Sequence, residues 1–143
     1  MITKKQSISS GVSSTKPTYF ADLDLDFTLN PATNDVLILK NDLAIRRSVR
    51  NLVMLNFGEK QFRPKIGSNI RKILFEPLSP DVAGRLQTYI QQVLTNFEPR
   101  IRLQSVEVTT NSTGDGYNVS IRFFLLNTET TLQAISMFLE RIR

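Results

Sequence analysis

Two opposite charges flank a proline in the segment NFEPR, where Glu98 and Arg100 stand on either side of Pro99. In an extended stretch, residues i and i+2 project to the same side, so the carboxylate and the guanidinium could pair directly. Each could also bind another group: Arg63 for Glu98, and Glu76 or a carboxylate of another subunit for Arg100. A shielded ion pair of this kind is costly unless it is also hydrogen-bonded.

Two interpretations of this corner remain open from the residues. The pair could be an intramolecular clasp that holds a helix against the strand that follows it. It could instead be a polar hot spot at a subunit interface, where arginine is enriched. A shorter copy, LFEP at 74–77, is followed by Leu78 where the second copy has Arg100, so the arginine is not needed to end a helix.

The chain contains no Cys and no His, which excludes disulfides, Cys/His metal sites and catalysis that uses either side chain. Carboxylates such as Glu59, Glu76 and Glu98 could form a glycosidase pair, but any chain with 13 acidic residues offers such pairs. No phosphate loop, nucleophile elbow or metal-binding motif accompanies them. We therefore expect no enzymatic activity, no cofactor and no metal.

The composition fits one domain of 143 residues with a substantial core, since 41% of the residues are hydrophobic. No apolar run approaches the ~18 residues of a membrane span, and the N-terminus lacks the apolar stretch of a secretory signal. The net charge is +5, but the basic residues are spread along the chain. We expect neither a membrane nor a nucleic acid as partner.

The N-terminal third begins with a Ser-, Thr- and Lys-rich segment at 1–17, which predicts a flexible arm or a tail that orders on a partner. Asp22, Asp24 and Asp26 then alternate with apolar residues, which favours a solvated strand face over a calcium site. The turn residues at 30–35 predict a hairpin over 25–39.

The next segments predict two helices joined by a loop. Asn41 or Asp42 could cap a helix that begins near Leu43 and is stopped by Gly58. Its arginines, at 46, 47 and 50, predict a solvated face or a docking face for an acidic partner. A loop punctuated by Pro64 and Gly67 leads to a short helix through 75.

The C-terminal half carries the clearest signals. Ser79 caps a helix with Pro80 at its first position and apolar residues at 3–4 spacing to Phe97. Period-two patterns then predict a β-hairpin over 101–126, with a bulge near Gln104 and Ser105. The last residues allow either a helix or an exposed edge strand. The fold class is therefore α+β: a single domain with an antiparallel or mixed sheet and two main helices.

Taken together, these segments resemble a known family. Over about residues 40–127 the chain is similar to the small baseplate wedge subunit of contractile phage tails and to its type VI secretion counterpart. The similarity lies in the order of four segments: FRPKIGSNIRKILFEP, a long helix, FEPRI and a β-hairpin. The Arg-Pro-x-x-Gly motif of that family is matched by Arg63, Pro64 and Gly67. Its Glu-Pro-Arg motif is matched by Glu98, Pro99 and Arg100.

The resemblance implies a structural component of the inner baseplate, present in six copies around the tail axis near the tail tube. It implies a fold resembling the sheath strand-exchange domain, binding of the wedge core bundle through the six motif residues, and initiation of sheath assembly by β-augmentation. The location would be the virion tail, assembled in the host cytoplasm. The alternatives are a type VI secretion baseplate subunit and, since some members bear the label, a cell-wall-degrading tail lysozyme. The domain would span 18–143, and the arm would thread along a neighbouring subunit.

Overall fold

The computed structural model describes residues 20–24, 26–126 and 132–142. The predicted arm at 1–17 lies outside these residues. The α+β class is confirmed, with antiparallel sheets, two main helices and a third helix of one turn. In chain order the elements are β1 (Ala21–Leu23), β2 (Leu29–Asn30), β3 (Asp35–Val36), β4 (Ile38–Lys40), α1 (Asp42–Met54), α2 (Ile70–Ile73), α3 (Pro80–Phe97), β5 (Ile101–Thr110), β6 (Gly116–Leu125) and β7 (Leu132–Glu140).

The first four strands form two nested hairpins, named here the N-terminal ribbon (residues 21–40). The turn at 31–34 joins β2 to β3, and β1 pairs with β4 outside them. The hairpin predicted over 25–39 is therefore confirmed at its centre, but the ribbon begins earlier in the chain. Only Asn41, a turn residue, separates β4 from α1, and both β1 and β4 contact that helix.

The prediction of a solvated aspartate face is wrong for Asp24, which is only 6% exposed. The side chain lies inward because Arg47 of α1 approaches it, with Nη2 3.3 Å from Oδ1. The same Nη2 lies 2.6 Å from Asp26 Oδ2. The alternating acids therefore attach the ribbon to the helix instead of facing solvent alone.

Helix α1 ends three residues before the predicted position, at Met54. Its C-cap, Leu55, is extended because its carbonyl accepts a hydrogen bond from the distant Ser68 N–H at 2.9 Å. Gly58, with φ +87°, turns the loop beyond the helix and does not end it. At the other end, Asn41 occupies the N-cap position, but its Oδ1 accepts from the Phe20 N–H and makes no capping bond.

The short helix α2 and the long helix α3 follow the local signals of the sequence. Ser68 Oγ accepts from the first N–H of α2, at 3.4 Å, although the helix ends at Ile73 before the predicted Phe75. Ser79 caps α3 by accepting from the Val82 N–H at 3.3 Å, with Pro80 in the first turn. Both features match the capping chemistry expected at a helix start.

The main sheet has the order β5-β6-β7 and is antiparallel throughout. The predicted hairpin is confirmed, including its bulge, because the β5–β6 register shifts between Leu103 and Ser105. The C-terminal segment, which the sequence left open between helix and strand, is strand β7. Its inward residues Ile135, Met137 and Leu139 lie opposite Ile121, Val119 and Tyr117 of β6, which buries apolar area against the core.

The core lies between the helices and one face of this sheet. Its fully buried side chains include Ile45, Val49, Leu86, Ile90, Ile121 and Phe123. Helix α3 packs mainly on β5 and also contacts α1, so the corner between α3 and β5 is held by the core on both sides. Within the described part of the chain, the helices are all too short or too polar to cross a membrane.

Candidate functional site

The Glu-Pro-Arg corner joins α3 to β5. Helix α3 ends at Phe97, as predicted, because Pro99 disfavours helical geometry in the residue before it. Glu98 is the C-cap, with φ −123° and ψ 78°, and its N–H still donates to the Leu94 carbonyl. Pro99 and Arg100 then form a turn, in which the Ile101 N–H donates to the Glu98 carbonyl at 3.4 Å, and β5 begins at Ile101.

The two charges pair directly, as one of the sequence-based alternatives predicted. Arg100 donates from Nε to Glu98 Oε1 at 2.5 Å and from Nη2 to Oε2 at 2.7 Å. Ser48 of α1 donates to the same Oε2 at 2.5 Å. The Glu98 side chain is 2% exposed and that of Arg100 is 26% exposed. This is a bidentate, hydrogen-bonded ion pair at the edge of the core, a geometry that favours the charged state.

The environment favours the charged form of both side chains, because it lowers the pKa of Glu98 and raises that of Arg100. Burial by itself raises the pKa of Glu98, but hydrogen bonds from Arg100 and Ser48 and the arginine charge outweigh it, so the pKa is held below its ordinary value. The hydrogen bond to Glu98 raises the pKa of Arg100 against a smaller opposing effect of burial. The pair also offsets the unfavourable position of a carboxylate at a helix C-terminus.

Arg100 reaches beyond Glu98 to the start of the N-terminal ribbon. Its guanidinium lies 5.4 Å from the centre of the Phe20 ring, within cation–π distance. Its Nη1 lies 3.8 Å from Asp22 Oδ2. Arg100 therefore joins α3, β5 and the ribbon, while part of its guanidinium and the exposed ring of Pro99 face outward.

Two other partners predicted for this pair, both within the chain, are wrong. Glu76, proposed for Arg100, pairs with Arg85 of α3 instead. Arg63, proposed for Glu98, is exposed and belongs to the loop after α1. The hydrogen bonds and ion pairs of the described residues do not connect the two motifs. The reason is geometric: Glu98 is enclosed by α1 and β5, and its oxygens are already satisfied by Ser48 and Arg100.

The Arg-Pro-x-x-Gly motif shapes the loop between α1 and α2. The Pro64 carbonyl accepts from the Gly58 N–H at 3.0 Å, which closes the loop. Gly67 has φ +150°, and a Cβ there would lie 2.5 Å from the Asn56 carbonyl carbon, so only glycine fits. Arg63 stands on the outside of this closed loop, and no other described residue forms a hydrogen bond or ion pair with its side chain.

Sequence reasoning missed the part played by three consecutive residues of α1. Arg46 donates from Nε and Nη2 to Gln133 Oε1 of β7, at 3.1 and 2.5 Å. Arg47 binds the aspartates of the ribbon. Ser48 binds Glu98. The predicted arginine face is thus mostly engaged within the chain, and the only local signal was its unusual density of arginine.

The carboxylate that Arg47 meets is also stabilised in its charged form. Hydrogen bonds from the Thr28 side chain and the Asp26 N–H, with a further contribution from the Arg47 charge, hold the pKa of Asp24 below its ordinary value against the effect of burial. Both buried carboxylates of the described chain, Asp24 and Glu98, are therefore bound anions and not protonated acids.

Comparison with known proteins gives matches that cover most of the chain. The family of baseplate wedge protein gp25 matches residues 40–130, a range that contains both motifs. Baseplate wedge protein gp25 of enterobacteria phage T4 is 27% identical over 96 residues, which are 66% of this chain and 71% of that protein.

Solved structures share the fold. A chain of the anti-feeding prophage baseplate aligns with a TM-score of 0.67 and 21% identity, over 76% of this chain and 87% of its own length. A protein of Geobacter sulfurreducens that carries the provisional name tail lysozyme aligns with a TM-score of 0.63 and 22% identity, over 69% of this chain and 89% of its own. At these sequence identities the solved structures show a common fold only, whereas the family match over residues 40–130 shows to which family the chain belongs. The chain belongs to the baseplate wedge protein gp25 family.

Proposed function

We propose that this chain is a structural subunit of a contractile-tail baseplate, which binds neighbouring wedge proteins and offers strand β7 to the tail sheath. The observation that carries the proposal is the family match over residues 40–130, which includes both the Arg-Pro-x-x-Gly and the Glu-Pro-Arg motif. The subunit belongs to the virion tail, in six copies around the axis near the tail tube, and is assembled in the host cytoplasm. The sixfold symmetry of the anti-feeding prophage baseplate agrees with that copy number.

The wedge-binding surface combines the outward-facing parts of the two motifs. Arg63 and Arg100 present guanidinium groups, and Pro99 is exposed between the charges of its corner. Glu98 holds the Arg100 side chain in one orientation before binding, which reduces the entropy lost on association. Pro64 and Gly67 act on the loop that carries Arg63, so they position the interface without contacting it.

The sheath-binding surface is the free edge of β7. Among the described strands β7 pairs only with β6, and its register is continuous from Glu140 to Leu132. The segment between Leu132 and Leu139 contains no charge, proline or glycine. Natural edge strands that must not pair carry such features. The opposite edge strand, β5, has both a bulge and charged side chains, at Arg102 and Glu107. The contrast supports β7 as the edge that accepts another strand.

A tail lysozyme is the less supported alternative. Glycoside hydrolysis requires a carboxylic acid whose pKa is raised so that it can donate a proton. The two buried carboxylates, Asp24 and Glu98, have lowered pKa values and are bound by arginine. This chemistry stabilises structure and opposes proton donation, so we assign the chain no catalytic role.

The wedge contact is tested with Arg63→Glu in the full chain, co-expressed with the wedge proteins of the same baseplate. We expect the variant to fold normally, because Arg63 is exposed, and to lose co-purification with the wedge. The matched control is Lys65→Glu, an exposed residue of the same loop with the same charge change. Normal wedge assembly with Arg63→Glu would contradict the assignment of this loop to the interface.

The sheath contact is tested with a cross-strand pair on the outer face of the sheet. Ser136 of β7 lies opposite Ser120 of the central strand β6. A lysine at Ser136 adds a charge beside the free edge, whereas one at Ser120 adds it a strand further away. We expect electron microscopy to show baseplates without sheath for Ser136→Lys and sheathed tails for Ser120→Lys. If both variants gave sheathed tails, the result would contradict the addition of a sheath strand to β7.

A further inference from the structure

An apolar groove, named here the β7 groove, lies at the C-terminal end of β7. Its volume is about 450 Å³, and its walls include Met54 at the end of α1, Leu74 after α2, and Phe138 and Ile142. Arg71 and Glu140 stand at its sides. The Ile142 N–H donates to the Leu74 carbonyl at 3.0 Å, which holds the chain after β7 against the end of α2.

The groove runs along the free edge of β7 and not beneath the sheet. Its lining contains three consecutive residues of that strand, Phe138, Leu139 and Glu140, and its described lining contains none from β6. Consecutive strand residues point to opposite faces, so a space lined by all three adjoins the strand edge. A fourth strand added to β7 would therefore pass directly beside the groove.

Two of the apolar residues that line the groove are exposed in the isolated chain, whereas Leu74 is buried. Met54 is 59% exposed and Phe138 is 46% exposed. The Phe138 ring leans over Gly116 of β6, where a Cβ would come within 2.9 Å of its Cζ, so it covers the side of the strand away from the free edge. The exposed, flexible Met54 gives the groove an adaptable apolar wall of the kind that receives a partner's side chain.

We propose that the β7 groove receives one large apolar side chain, Leu, Ile, Met or Phe, from the strand that pairs with β7. This inference rests on the proposed function, since it assumes that a sheath strand adds to this edge. The edge supplies backbone hydrogen bonds that any sequence can make, whereas a pocket for an alternate side chain supplies specificity. The groove fixes the register, because moving the strand by one residue would turn the anchoring side chain to the opposite face.

The first test compares two charge substitutions on α1 in the full chain. Met54→Glu places a carboxylate in the groove, and Leu43→Glu places one at the other end of the helix, where Leu43 is 61% exposed. The probe is the purified sheath subunit encoded with this chain. We expect Met54→Glu to weaken sheath binding at least about tenfold, as the loss of a desolvated apolar anchor does. Leu43→Glu should bind as the native chain does, and both should keep the native thermal stability.

The outcomes separate the two proposals. If the native chain does not bind the sheath subunit, the proposed sheath contact fails and the groove assignment fails with it. If the native chain binds and Met54→Glu binds equally well, the sheath contact stands and the groove assignment is overturned. Selective loss with Met54→Glu supports both.

The second test maps the register by disulfide trapping, which is clean because the native chain contains no cysteine. Met54→Cys is mixed with a series of sheath subunits that carry one cysteine at successive positions of the added strand. We expect cross-linking to centre on one position at which the native sheath residue is Leu, Ile, Met or Phe. Cross-links centred on a polar position, or spread evenly along the strand, would overturn the inference.

Discussion

Replacing Arg100 by alanine removes the partner of a buried charge. The Glu98 side chain is 2% exposed in the native chain and stands at a helix C-terminus. Without the guanidinium its carboxylate would keep only neutral donors, the Ser48 hydroxyl and the backbone N–H of residue 100. The substitution also removes the contacts of the guanidinium with Phe20 and Asp22. The isolated domain should therefore lose stability even in the absence of any partner, which is the clasp interpretation of the corner.

The size of the effect follows from the burial of the pair. Removing one partner of a fully buried ion pair costs about 3–5 kcal/mol. Because a quarter of the Arg100 side chain is exposed, we expect a value near the lower limit, about 3 kcal/mol. For a chain of this length, each kcal/mol lowers the Tm by roughly 3–5 °C, so the Tm should fall by roughly 10–15 °C. The variant should still fold at low temperature, since domains of this size have about 5–15 kcal/mol of stability.

The pH dependence identifies the cause. In the native chain the lowered pKa of Glu98 gives a stabilisation that is present above about pH 4.5 and is lost as the pH falls through the folded-state pKa. Without Arg100, burial would raise the pKa of Glu98. As the pH falls, protonation of Glu98 would remove its unpaired charge, so the variant would recover part of the stability that it had lost. Both effects have the same sign, so the stability difference between the native chain and Arg100→Ala should be largest near neutral pH and narrow in acid.

The measurement is urea unfolding of the free chain followed by circular dichroism, at neutral pH and at several acidic pH values. Arg63→Ala is the matched control, because it removes an exposed arginine of the other motif and should change stability by less than about 0.5 kcal/mol. The reasoning would be refuted if Arg100→Ala were as stable as Arg63→Ala, or if the difference did not change with pH. Retained stability together with lost wedge assembly would leave only the interface role of Arg100.

Three further outcomes are expected from the same unfolding assay. Glu98→Gln keeps the shape of the side chain but removes its charge, so it should lower stability at neutral pH and abolish the part of the acid dependence that Glu98 causes; an unchanged acid profile would assign that dependence to other groups. Gly67→Ala should cost more than about 2 kcal/mol because of its positive φ and the Asn56 backbone, whereas Gly84→Ala, in open space on α3, should stabilise by up to about 1 kcal/mol; equal effects would contradict the close approach. Arg46→Ala should cost about 1–2 kcal/mol by leaving Gln133 buried without its donor; a loss no greater than that of the exposed Arg50→Ala would show that the hydrogen bond contributes little.

Helix α3 and the β5–β6 hairpin could be predicted from the sequence because their signals are local. The Ser79 cap, Pro80 at the helix start and Pro99 just beyond its end lie within a few residues of the boundaries they set. The bulge was visible as a change of phase in the apolar alternation, because a one-residue insertion moves every later side chain to the other face. The direct pairing of Glu98 with Arg100 was one alternative offered by the spacing of the two residues, although Pro99 and Arg100 form a turn and not the expected extended stretch.

Other features depend on residues that are far apart in the chain. The end of α1 at Met54 depends on a hydrogen bond to Ser68, and local propensity alone placed it three residues later. Strand β7 could not be distinguished from a helix, since its apolar residues suit both periods and only pairing with β6 selects the strand. In both cases a tertiary contact outweighed a weak local preference.

The sequence by itself determined the two motifs and the helix–strand corner, because these depend on spacing within a few residues, and it offered the pairing of Glu98 with Arg100 as one of several possibilities. Only the tertiary structure decided what surrounds them. Ser48 is 50 residues from the carboxylate it binds, and Arg46 is 87 residues from Gln133. Such contacts form when packing of the core brings α1 against the corner and the sheet, and a one-dimensional pattern carries no record of which distant side chains that packing brings together.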